Sequence, residues 1–114
     1  MEGITEQVVK AKDRYSRQFQ NFTRSFYIMK SALRYFSVNQ GLSFTSSKVA
    51  DNFPVSTPVA GSALKIFNEL DVVEPRTRSS SPDRYMPSQV DMERLLEVEE
   101  VLVENYEIEA FYPK

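Results

Sequence analysis

From Ile4 to Phe36 an apolar side chain returns at every third or fourth position, through Val8, Ala11, Tyr15, Phe19, Phe22, Phe26, Met29 and Leu33. That is helical periodicity kept up for about nine turns, and it commits the first third of the chain to helix. One straight helix of that length would overrun a domain built from 114 residues. Asn21, Thr23 and Ser25 offer N-cap chemistry near its middle. The spacing therefore predicts an arm helix, a break there, and a core helix near 24–37. Asn39-Gln40-Gly41 ends the core helix, with Gly41 free to take the left-handed conformation of a C-terminal cap.

The composition supports one core and removes most chemistry. Hydrophobic residues make up 41% and aromatic residues 12%, enough for one compact domain but not two. Without Cys there is no disulfide, thiolate nucleophile or Cys-ligated zinc. Without His, Ser-His-Asp and Cys-His catalysis are gone, with the commonest zinc ligand. The three glycines, Gly3, Gly41 and Gly61, cannot spell a G-x-G-x-x-G fingerprint or a phosphate loop. The expectation is a protein without catalysis, metal or cofactor. The longest apolar run, Phe26 to Met29, is far too short to span a membrane. The N-terminus lacks the basic-then-apolar layout of a secretory signal, so a cytoplasmic protein with no membrane contact is expected.

Beyond the core helix, Leu42-Ser43-Phe44 reads as a short extended segment. Thr45 to Phe53 reads as a short capped helix with Val49, Ala50 and Phe53 on its apolar side, stopped by Pro54. Thr57-Pro58 then predicts a helix over 58–70 with Thr57 as its cap, because proline is favoured at a first helical position. Ala60, Ala63, Leu64, Phe67 and Leu70 form its apolar side, widened by Val59 and Ile66. Gly61, Ser62, Lys65, Asn68 and Glu69 lie opposite. Residues 72–78 have strand character, Ser79 to Asp83 make a turn, and Arg84-Tyr85-Met86 returns as a second strand, giving a two-stranded ribbon. Ser88 is read as the cap of a last helix over 89–107, striped by Met92, Leu95, Leu96, Leu102, Val103 and Tyr106, broadened by Val98 and Val101 and interrupted by Glu99.

Charge divides unevenly along this layout. Basic against acidic residues number seven to three over 1–38, five to five over 39–88 and two to eight over 89–114. Such asymmetry fits ends that lie against each other, an acidic end pointing away from what the basic part touches, or simply two solvated helix faces.

The stretch from Phe44-Thr45-Ser46-Ser47-Lys48-Val49-Ala50 through Ala63-Leu64-Lys65-Ile66-Phe67-Asn68-Glu69-Leu70-Asp71-Val72-Val73 resembles the winged helix-turn-helix of prokaryotic and archaeal transcriptional regulators of the MarR kind. The resemblance covers about residues 25–88. Ala50 fills the family's buried alanine, Leu64, Phe67 and Leu70 its apolar stripe, and Val72-Val73 the pair that opens the wing. Asp71 stands where the family usually carries Gly, a slot Asp tolerates because it accepts left-handed geometry. Phe53-Pro54-Val55 replaces the usual glycine-containing turn. The fold implied is mostly α with a two-stranded β-wing, a winged helix-turn-helix over 23–88 with additional terminal helices over 1–22 and 89–114.

The resemblance implies binding of double-stranded DNA, helix 58–70 entering the major groove with its N-terminal residues nearest the base edges. Ser56, Thr57, Gly61, Ser62 and Lys65 are then the candidate contacts, or else the solvated face of an amphipathic helix. With no Arg, Asn or Gln in its first two turns, that helix lacks the bidentate base pairings, so reading is weak or carried partly by shape. Arg76, Arg78 and Arg84 flank the polar turn, where they would reach phosphates or a narrow minor groove, or guard an exposed edge. Lys48 and Arg34 would add backbone contacts.

A minimal winged domain does not need the terminal helices, and their apolar stripes must be buried. Ile4, Val8, Tyr15, Leu95, Leu102 and Tyr106 are accordingly the expected homodimer interface, with packing inside one chain as the alternative. The expectation is a homodimeric transcriptional regulator, any small-molecule effector being unspecified. The alternative is a winged-helix protein-protein interaction module without DNA binding, whose acidic end meets a basic partner.

Overall fold

The computed structural model describes residues 3–38, 44–73, 84–85 and 90–106. Among the described residues five helices and two short strands follow in the order α1 (Ile4–Arg14), α2 (Phe19–Val38), β1 (Phe44–Thr45), α3 (Ser46–Asn52), α4 (Thr57–Glu69), β2 (Arg84–Tyr85) and α5 (Met92–Tyr106). The protein is mostly helical. Among the described residues no helix is long and apolar enough to cross a membrane.

The break between the first two helices falls at 15–18, earlier than the expected Asn21–Ser25. The Thr23 and Ser25 hydroxyls donate to the carbonyls of Gln20 at 2.8 Å and Asn21 at 2.7 Å, bonding back within the helix rather than capping a new one. Ser16, Arg17 and Gln18 are all exposed, so that stretch has no apolar side chain to hold a helical turn against the core. The chain turns there, and the Phe19 N–H closes on the Tyr15 carbonyl at 2.9 Å. From Phe19 onward the expected face is inward, with Phe22, Phe26, Met29, Leu33 and Phe36 buried. Asn39 to Gly41, the expected end of this helix, lie outside the described residues.

Phe67 of α4 sits between two rings of α2, its centroid 5.0 Å from Phe22 and 5.9 Å from Phe26. Phe44 of β1 stacks on Phe36 at 4.8 Å with the planes 4° apart. Each fully buried aromatic ring of this kind contributes roughly 1.5–3 kcal/mol by burial. The stack also fixes β1 against α2 and so sets where the short sheet can form.

Local caps position the two middle helices. Thr45 Oγ1 accepts the Lys48 N–H at 3.1 Å and starts α3. The cap of α4 is Ser56 rather than Thr57, because the Ala60 N–H closes the first backbone turn on the Ser56 carbonyl at 2.9 Å while Ser56 Oγ accepts from Val59 at 3.3 Å. Helix α4 ends in a Schellman motif, the Val72 N–H donating to the Phe67 carbonyl at 2.9 Å and the Asp71 N–H to Asn68 at 3.1 Å. Asp71 takes the left-handed position with φ 61°, as its place in the sequence led us to expect. Val72 and Val73 are buried but form no strand, and the rest of the expected strand 72–78 lies outside the described residues.

The described part of the returning strand pairs with β1, and its expected partner strand lies mostly outside the described residues. Arg84 and Tyr85 lie antiparallel to β1, in the register Phe44 with Tyr85 and Thr45 with Arg84. Phe44, anchored by its ring, offers that edge.

Helix α5 begins at Met92, three residues later than expected. Its cap is Asp91, whose Oδ1 accepts the Arg94 N–H at 3.0 Å and whose own N–H donates to the Val72 carbonyl at 2.7 Å. Ser88, the expected cap, lies outside the described residues. The helix turns Leu95, Val98, Val101 and Leu102 inward, leaving the expected stripe residues Leu96 and Val103 exposed. Glu99, which interrupts the stripe, meets Lys30 of α2 at 2.6 Å.

The apolar stripes of α1 and α5 are covered in part within the chain. Val8, Leu95 and Leu102 are fully buried, and Ile4, Tyr15 and Tyr106 are half-buried against the same core. These six were the expected dimer interface. Within the chain the two terminal helices pack on each other, with Tyr106 taking Phe19 at 5.5 Å on one side and the Lys12 ammonium at 5.1 Å on another.

Candidate nucleic-acid interface

Helices α3 and α4 are joined by Phe53 to Ser56, a turn that α3 enters through extended Phe53 and α4 leaves through the Ser56 cap. The apolar side of α4, from Ala60 to Phe67, faces the core, which turns Thr57, Pro58 and Lys65 outward. Ser62 is half-buried on the same side. Ser56 and Thr57 are exposed, and the Ser56 hydroxyl, although it accepts from Val59, keeps its own O–H for donation. No acidic residue occurs in α4 before Glu69, and Arg14 of α1 binds that carboxylate at 2.7 Å.

Gly61 turns toward α3 rather than toward a ligand. A Cβ built on it would meet Ser46 Cβ and Oγ at 3.7 Å, an ordinary contact, so the close approach it serves is between the two helices. Lys48 is exposed on α3, its ammonium 6.0 Å from the Phe36 ring centre. Arg34 is exposed on α2. Arg84 occupies the register position opposite Thr45, the cap of α3. Arg76 and Arg78 lie outside the described residues.

One contributor had no individual signal in the sequence. Arg24, exposed on α2, lines an open depression of about 250 Å³ together with Asn21, Pro54, Val55 and Ser56. The N-terminal end of α4, where unpaired N–H groups and the helix dipole favour negative charge, borders the same depression. Only the general basic excess of residues 1–38 hinted at a cation here, because Arg24 and Ser56 are far apart in sequence. Arg24 thus brings positive charge to the capped end of α4, while Lys65 is exposed farther along α4 and Lys48 on α3. Among the described residues no three His, Cys, Asp or Glu side chains come together as metal ligands.

No protein-family model, curated protein or solved structure matches the chain.

Proposed function

We propose that the chain binds double-stranded DNA as a winged helix-turn-helix transcriptional regulator. Helix α4 enters the major groove, and the segment 72–86 forms the wing on the backbone or minor groove. The observation that carries this reading is the α3–α4 pair: two capped helices across a four-residue turn, the second with small hydroxyls and Lys65 outward and no acidic residue before its last position. Further support comes from the element order, in which β2 returns to β1 beside the α3 cap, and from Arg24 at the N-terminal end of α4. Small hydroxyls and lysines favour phosphate contact and shape over base-by-base reading. Because the chain itself fully buries Val8, Leu95 and Leu102, a homodimer on a palindromic site would not form through those three side chains.

A gel-shift titration of random-sequence duplex over a range of salt tests the reading. Log affinity is expected to fall linearly with log salt, by about 0.9 for each phosphate neutralised. Absence of any retardation at low salt would overturn it.

A further inference from the structure

Helix α5 carries a surface that the proposed DNA contacts leave unused. Its inner face is closed by Leu95, Val98 and Leu102, all fully buried. Its outer face turns Glu93, Glu97, Glu100 and Glu104 to solvent beside Leu96 and Val103, which are 52% and 44% exposed. At the helical period these six fall within about a third of the circumference. Leu96 and Val103 stand two turns apart on one edge with Glu100 between them, and the other carboxylates run along the flank. The single basic residue of α5, Arg94, is drawn toward α4, its Nε donating to the Leu70 carbonyl at 2.9 Å and one terminal nitrogen lying 3.4 Å from Glu97. The face is therefore strongly acidic with an exposed apolar edge.

The sign of that charge selects the occupant. DNA phosphates are repelled by it. A second copy meeting it two-fold would set the same four carboxylates against each other, because an isologous contact brings like surface onto like. A second copy meeting it with the more basic N-terminal third would make a head-to-tail contact, which builds a ring or a filament rather than a two-fold dimer. We propose that this face docks an amphipathic basic helix of another protein. Apolar anchors of that helix cover Leu96 and Val103, and its Lys or Arg side chains meet Glu93, Glu97, Glu100 and Glu104. The acidic strip from Glu93 to Glu104 is about 16 Å long, which three turns of partner helix match. The inference stands apart from the DNA reading.

The full chain is titrated with a synthetic helical peptide of Leu and Lys arranged amphipathically, and with a scrambled peptide of the same composition, following anisotropy and backbone amide shifts. The amphipathic peptide is expected to bind at least about tenfold more tightly, with shift changes concentrated on α5. Leu96→Ser with Val103→Ser is expected to remove that advantage while leaving the melting temperature and DNA affinity unchanged. Glu97→Lys with Glu100→Lys is expected to weaken the Lys peptide and favour a Leu-Glu counterpart. Equal binding of the two Leu-Lys peptides, shift changes away from α5, or a dimer in sedimentation that Leu96→Ser with Val103→Ser dissolves would each overturn the proposal. Loss of DNA retardation with peptide binding intact would remove the DNA reading alone.

Discussion

The Lys30 ammonium and the Glu99 carboxylate meet across 2.6 Å, each side chain less than a quarter exposed, and tie α2 to α5. With most water excluded, removing one partner strands the other. Lys30→Met or Glu99→Leu alone is expected to cost about 1–3 kcal/mol, while the double substitution recovers most of that loss because an apolar pair replaces both charges. Urea denaturation of the four proteins completes the cycle. Four equal midpoints would show the pair to be solvated.

Asp71 holds a left-handed position with φ 61° inside the cap of α4. An L-residue there costs about 1–2 kcal/mol that glycine avoids, part of which is offset by glycine's greater freedom when unfolded. Asp71→Gly should therefore raise stability by about 0.5–1 kcal/mol, and Asp71→Val should lower it. A lower melting temperature for Asp71→Gly would contradict the cap geometry.

Ser62 sits half-buried on the outward side of α4, and Asn68 lies nearly two turns farther along. Ser62→Glu is expected to abolish DNA retardation by clash and charge repulsion, whereas Asn68→Ala should matter less. The two variants and the unaltered protein, compared on one duplex, decide it. Equal affinity for Ser62→Glu and the parent would show that α4 enters no groove.

Arg76 and Arg78 supply the densest arginine pair of the proposed wing. If both meet phosphates, replacing them together with Ala should flatten the log-affinity against log-salt slope by nearly two units, about 0.9 each. Binding to specific and random duplexes should weaken alike. A lost sequence preference with the slope unchanged would move these side chains onto base edges.

Several site features were legible before any tertiary contact was considered. The outward set on α4 followed from the period of its apolar side, the cap at Thr45 from residue chemistry, and the left-handed slot at Asp71 from the winged-helix resemblance. Ser56 displaced Thr57 as a cap because one backbone hydrogen bond closed a residue earlier. Arg24 could not be placed by pattern, since only the packing of α2 on the α3–α4 turn brings it to the same depression as Ser56. Gly61 was legible as a point of close approach, but the approaching group is Ser46 of the same chain.

By itself the sequence determined which segments are helical and, for α2 and α4, which face is buried. Phe22, Phe26, Leu64 and Phe67 recur at the helical period, and that periodicity is a local property of the chain. Tertiary structure alone decided that α5 turns Leu95 inward and Leu96 outward, that Glu99 finds Lys30, and that β2 pairs with β1. It also decided that Val8, Leu95 and Leu102 of the terminal helices are buried within one chain. These outcomes depend on elements distant in sequence, and they are settled by which packing removes most apolar surface from water while pairing the polar groups it covers.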